Sequence, residues 1–398
     1  MSLEQKNNNN KTILYVGGFE LPDKNAAAQR VISNAKIFRE LGYNVVFIGV
    51  SKAIEKKVFL EDTIDHFEGF QYYSIPYPKS ILDWLSYLSK VSYLNLMVKI
   101  NPSIVIAYNY PSLVLNKLRK YCKSNQIKII ADVTEWYDPK GNFFYKILKK
   151  TDIYYRMEFV NNRLDGIIVI SRYLYNYYKK TYLRNIIEIP PLVDLSMEKW
   201  APLSFSEEHD YLKLIYAGSP GKKNKDRLDY IILFINNFLK EQKKKVKLTI
   251  VGITEKQFIE YFNPSEQVLL EMNSWVNFWG QLSHPKTLEL IKENDFQIFI
   301  RENNLVNNAG FPTKFVEAIS CGIPVITNIS GNLNDYLYNG FNGCVVEIDS
   351  DESFYDSLKN ALFHDRKTIE QMKVNCKTMK IFDYHFYISP MEDFLKAI

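Results

Sequence analysis

Short, wholly apolar runs alternate with longer segments of helical period through the first half of the chain: Ile13–Val16, an amphipathic stretch from Asn25 to Leu41, then Asn44–Val50, Ile104–Ala107, Ile127–Ala131 and Ile167–Ile170. A strand that is apolar at every position is buried on both faces, so the pattern predicts a mostly parallel sheet covered by helices on either side. The pattern restarts at Lys213–Gly218 and continues through Lys247–Gly252, Val276–Gly280, Phe296–Arg301, Pro324–Thr327 and Cys344–Glu347. Two successive α/β domains are expected, 12–195 and 205–378, separated where Pro190, Pro191 and the Ser- and acid-bearing run to Glu208 interrupt the period. Helical spacing of Met391, Phe394, Leu395 and Ile398 sets off a final segment, 379–398, while the polar residues 1–11 read as a disordered tail. Ser80–Ile100 is amphipathic; we expect its apolar face to turn toward the core, the alternative being contact with a membrane surface.

The most informative run is Ala309–Thr327, AGFPTKFVEAISCGIPVIT. Gly310, Pro312 and Thr313 break the preceding chain, with Thr313 offering a capping hydroxyl; Lys314–Cys321 then has helical spacing, with Phe315, Ala318 and Ile319 on one face. Gly322 stops the helix, and Pro324 leads into a buried strand. The N–H groups of a helix's first turn and the positive end of its dipole favour a phosphate, and Glu317, one turn in, can accept two hydrogen bonds from a diol. A nucleoside diphosphate carries both groups. The alternative is an exposed i,i+3 ion pair between Lys314 and Glu317.

Gly310, Phe311, Glu317, Ala318, Gly322, Pro324, Val325 and Ile326 together resemble the C-terminal signature of the family 4 glycosyltransferases, with Ala309 standing where the family has its first glutamate. The resemblance implies the GT-B fold: two Rossmann-like domains facing each other across a cleft, with the C-terminal helix crossing back to the N-terminal domain. It also implies transfer of a sugar from a nucleotide diphosphate sugar to an acceptor hydroxyl with retention. In that scheme Glu317 holds the donor ribose, and Lys314 and Arg301 stabilise the leaving diphosphate. Gly17 and Gly18, after the first strand, face the donor. The matching second-domain loop contains Gly218, then Ser219 where relatives have an arginine, and then Lys222, Lys223 and Lys225; Lys225 is preferred for the diphosphate and Lys223 is the alternative. Glu135, in the run after Ile130, is the candidate for contacting or deprotonating the acceptor, with Asp132 and Asp138 beside it. Trp136 is a candidate platform for a sugar. A GT-B nucleotide-sugar 2-epimerase and a non-catalytic nucleotide-sugar-binding subunit are the competing readings.

The 398 residues are 46% hydrophobic and 24% charged, a globular balance. Charge is uneven: residues 1–200 hold 28 Lys and Arg against 19 acids, and residues 201–398 hold 22 against 26. The basic, tyrosine-rich stretch Lys117–Arg184 suits an anionic membrane face or acceptor, and no nucleic-acid motif accompanies it. We expect a cytoplasmic protein, peripheral on the inner membrane face, acting on a sugar or lipid-linked acceptor. Cys122, Cys321, Cys344 and Cys376 are too scattered for a zinc site or disulfide framework. Asp349-Ser-Asp351 imitates a metal motif, but its place before a helix makes Asp351 a cap, and no cofactor or metal is expected.

Overall fold

The computed structural model describes residues 11–22, 25–55, 58–136, 143–181, 185–201, 209–221 and 225–398. The tail 1–10, Asp138 and Lys223 lie outside them. The chain divides into two compact units, one comprising residues up to Leu192 together with Asp383–Ile398, the other Val193–Phe382.

The first unit is built on an eight-stranded sheet: β1 (Thr12–Gly17), β2 (Asn44–Ser51), β3 (Asp65–Phe67), β4 (Phe70–Pro76), β5 (Ile104–Tyr108), β6 (Lys128–Val133), β7 (Gly166–Val169) and β8 (Ile186–Glu188). Their order is β3-β4-β2-β1-β5-β6-β7-β8, parallel except for the β3–β4 pair. β1 is central and all six of its residues are buried, as its unbroken apolar run requires. Helix α1 (Ala26–Glu40) follows it, started by the Asn25 side chain accepting from the Ala28 N–H. A Cβ on Gly17 would lie 2.7 Å from the Cβ of Tyr108, so only glycine lets β1 and β5 close together there. Ser80–Ile100 forms two helices, not one, and the first, α2 (Ile81–Ser89), buries no residue at all. The expectation of a core-facing helix is thereby corrected for the first half of the span, whereas the second helix, Leu94–Ile100, does bury Leu96 and Met97; apolar spacing does not say whether a partner covers the face. Next come α3 (Ser112–Ser124) and, at the far end of the sequence, a helix over Ile388–Lys396 whose Met391 and Phe394 enter this unit's core.

The second unit carries a six-stranded parallel sheet of β9 (Tyr211–Ala217), β10 (Lys245–Val251), β11 (Val276–Gly280), β12 (Phe296–Ile298), β13 (Val325–Thr327) and β14 (Gly343–Val345), in the order β11-β10-β9-β12-β13-β14. The helices that bear on the site are α4 (His284–Lys292) and α5 (Thr313–Ser320). Before the helix Asp351–Leu362 the cap is Ser350, paired with Ser353 in a capping box; Asp351 is the first helical residue and accepts from the Tyr230 hydroxyl. Among the described residues no helix is long and apolar enough to cross a membrane.

Candidate functional site

β9 delivers Tyr216 and Gly218 to the carboxyl edge of the second sheet, where ligands of open α/β sheets gather. The loop after Gly218 returns to place Asp226 against Arg301, through an isolated antiparallel bridge and an Arg227 N–H to Ile300 carbonyl bond of 2.8 Å. Arg301 lies three residues beyond β12, its backbone clamped by both ends of the Asn328 amide at 2.8 and 2.9 Å. Lys314, second residue of α5, reaches the same point. Asp226 thus accepts from Arg301 Nε at 3.2 Å, from the Lys314 ammonium and, at 2.8 Å, from the Tyr216 hydroxyl. Lys314 also donates to the Tyr216 oxygen at 3.2 Å.

All four side chains are buried, which makes their charge balance consequential. Burial alone would raise the Asp226 carboxyl, but Lys314 and Arg301 outweigh it and hold it down to about 2. Burial lowers Lys314, Asp226 opposes that, and Arg301 and the nearby Lys225 push it down again. One carboxylate therefore faces two buried cations, with the exposed Lys225 adding a third positive charge close by. Gly218, at φ +138°, is the only residue type that fits: a Cβ would overlap the Lys314 side chain.

α5 begins immediately beside this surplus. Thr313 is its first residue, not its cap; the preceding position is Pro312, and no side chain caps the first turn. One turn in, Glu317 is half-buried and lies 3.3 Å from His284 Nε2 on α4. The alternative Lys314–Glu317 ion pair is not what forms, because Lys314 turns to Asp226 and Glu317 to His284. Ser219 is exposed and its hydroxyl accepts from the Gly221 N–H at 3.4 Å. Phe311 is buried edge-on against Tyr336 and Phe382, an anchor for the loop before α5, and Gly310 donates to the Val306 carbonyl. Ala309 is fully buried.

In the first unit Gly17 is buried and Gly18 exposed after β1, and Glu135 is exposed two residues past β6. Trp136 stands edge-on to Tyr173 and Tyr177. Asp132 is removed from the acceptor candidates: it is fully buried, with the Arg30 guanidinium at 2.8 Å and the Tyr15 hydroxyl at 2.5 Å. Sequence reasoning missed Asp226, His284 and Arg30. A shared signal was present in Leu14-Tyr-Val-Gly and Ile215-Tyr-Ala-Gly, each with a tyrosine two residues before a glycine that is the last residue of the strand or the next one after it. Among the described residues no three His, Cys, Asp or Glu side chains gather to hold a metal ion.

The two parallel-sheet units define the GT-B class of glycosyltransferase folds, and solved structures share it over nearly the whole chain. HepE of Anabaena, solved with UDP, is 12% identical with a TM-score of 0.65, covering 97% of this chain and 100% of that one. The lipopolysaccharide outer core galactosyltransferase WaaB is 15% identical at 0.63, over 97% and 99%. Sucrose-phosphate synthase of Thermosynechococcus elongatus is 12% identical at 0.67, over 97% and 98%. Within that fold, residues 205–379 match the family described as glycosyl transferases group 1, a stretch that contains every residue of the Asp226 cluster. No protein of curated function matches the sequence.

Proposed function

We propose that this protein transfers a sugar, of hexose type, from a nucleoside diphosphate sugar to an acceptor hydroxyl, with retention at the anomeric carbon and without a metal ion. The observation that carries the reading is the surplus positive charge of Lys314 and Arg301 over Asp226, set against the uncapped first turn of α5. Such an arrangement stabilises the charge that develops on a departing diphosphate, the largest electrostatic demand of the reaction. Glu317 accepts the ribose hydroxyls, with His284 fixing the carboxylate's orientation. The leaving phosphate takes the acceptor proton, with Glu135 the side chain nearest in role to a base. UDP, present in the HepE structure, is the first donor base to test. Assembly of cell-surface glycans on the cytoplasmic side of the membrane is the proposed setting, with a sugar or lipid-linked acceptor.

The test is incubation with a panel of UDP-, GDP- and ADP-sugars, following release of free nucleoside diphosphate. Release with one donor and its loss in Glu317→Gln supports the reading; nucleotide binding without release from any donor overturns it in favour of a non-catalytic binding subunit. That second reading has one observation behind it: Ala309 is buried and apolar where the resembling family has a glutamate.

A further inference from the structure

Helix α2 has two unlike faces. Asp83, Ser86, Tyr87 and Lys90, spaced i, i+3, i+4 and i+7, form one wall of a cavity of about 430 Å³. The opposite side presents Ile81, Leu82 and Leu85 to solvent at 81%, 76% and 57% exposure, with Trp84 at 40% beside them. A capping box between Ser80 and Asp83 starts the helix, and Lys117 of α3 donates to the Ser89 carbonyl at its end. The bare face is therefore on an anchored helix. Single exposed apolar residues need no explanation, but four on nine residues of one helix do.

The cavity is lined for a sugar ring. Its walls include Tyr77, Tyr87, Tyr93 and Tyr110, together with Ser74, Ser86 and Ser92. Trp84 and Tyr87 stand edge-on at 5.9 Å, Tyr87 and Tyr110 at 6.4 Å, and the Tyr93 hydroxyl donates to that of Tyr110 at 3.0 Å. Aromatic rings and hydroxyl-bearing side chains together suit a carbohydrate, and the volume lies within the range of small-molecule sites. Its Tyr87 wall borders the first strand's glycine loop, since a Cβ on Gly18 would sit 3.6 Å from the Tyr87 hydroxyl. Charge points to what covers the outer face. From residue 79 to residue 123 the chain has seven Lys and Arg against one carboxylate, Asp83, and that one accepts from the Lys79 and Ser80 N–H groups. Glu61, across the cavity, is paired with Lys99 at 3.0 Å.

We propose that α2 beds its Ile81, Leu82 and Leu85 face into the surface of an anionic bilayer, and that the tyrosine-lined cavity behind it receives the sugar of an acceptor anchored in that bilayer. Apolar side chains buried at the headgroup boundary, flanked by lysines, are how an interfacial helix holds a membrane. The proposal rests on the transferase reading only for the word acceptor.

The test uses the full chain in two arms. In the first, it is sedimented with phosphatidylglycerol–phosphatidylcholine vesicles and with phosphatidylcholine vesicles, at low salt and at about 0.5 M NaCl, where charge screening is strong. We expect binding to the anionic vesicles, a fraction of which survives high salt, and a loss of about tenfold in that fraction for Leu82→Glu/Leu85→Glu. Both sites are exposed, and an unchanged melting temperature checks the fold. Absence of binding at low salt, or equal salt-resistant binding by the variant, overturns the membrane face; so does a wild-type dimer that dissociates on the same substitutions. In the second arm, saturation-transfer NMR with n-octyl glucoside, galactoside and N-acetylglucosaminide below micelle formation should label the sugar protons, and Ser86→Trp, which fills the cavity, should abolish the signal. A signal from the octyl chain alone, or one that persists in Ser86→Trp, overturns the sugar site. Nucleotide titration separates the two readings: vesicle and glycoside binding without nucleotide binding removes the transferase assignment and leaves the docking face standing.

Discussion

The two units contain the same buried motif put to different ends. In each, a tyrosine on the sheet's central first strand donates to an aspartate that also holds an arginine: Tyr15, Asp132 and Arg30 in one, Tyr216, Asp226 and Arg301 in the other. In the first unit one carboxylate meets one guanidinium, whose Nη1 donates to the Ile189 and Pro190 carbonyls. The cluster is neutral and closed. In the second, Lys314 joins the pair, so one carboxylate meets two cations beside an uncapped helix start. A buried ion pair that balances stitches strands to helices; one left with excess positive charge invites an anion.

Removing each aspartate tests that comparison most severely. Asp132→Asn and Asp226→Asn should both cost about 3–5 kcal/mol, because each strands a buried cation. In chemical denaturation a loss under about 1 kcal/mol at either site would mean that its pair is not structural. Arg30→Met should leave nucleotide affinity unchanged, whereas Arg301→Met should weaken it by about 1.5–3 kcal/mol, the worth of a charge-assisted hydrogen bond. Equal effects in calorimetric titration would erase the distinction between the clusters.

Acid sharpens it further. The Asp226 carboxyl sits at about 2 in the folded protein, below an ordinary unfolded value of about 3.9. A depressed carboxylate adds stability that is present above the unfolded value and is lost as pH falls through the folded one. The difference in unfolding free energy between wild type and Asp226→Asn should therefore narrow by roughly 2 kcal/mol between about pH 4 and pH 2. Parallel curves over that window would contradict the cation pairing. Smaller again, Glu317→Gln should weaken nucleotide binding without moving the melting temperature, since its carboxylate lies in a half-buried position and not in the core. The smallest effect is expected from EDTA: donor turnover should persist, and recovery only on adding Mg²⁺ or Mn²⁺ would return attention to Asp349 and Asp351.

Strands such as Ile13–Val16 and Leu214–Ala217 were legible because burial on both faces leaves an unbroken apolar run. The α5 segment was legible because Gly310, Pro312 and Gly322 punctuate both of its ends. Asp226 was not, since an acid after a lysine run reads as a solvated helix start until a strand 75 residues later brings Arg301 to it. Long-range pairing leaves no local periodicity. The exposure of α2 was hidden for a related reason: a helix turned to solvent and a helix turned to a core carry the same spacing, and only the tertiary fold tells them apart.

The placement of Ile388–Lys396 has a consequence for how the molecule comes into being. Met391 is wholly buried in the first unit's core, and Phe394 packs so closely on Gly166 that a Cβ there would lie 2.6 Å from its ring. The second unit is one continuous stretch of chain and can close as soon as it leaves the ribosome. The first unit, although translated earlier, waits with a gap in its core until residues 383–398 arrive after the second. Completion of the first unit's core thus cannot precede synthesis of the whole second unit, and a fragment ending near residue 192 would lack Met391 and Phe394 from its apolar interior.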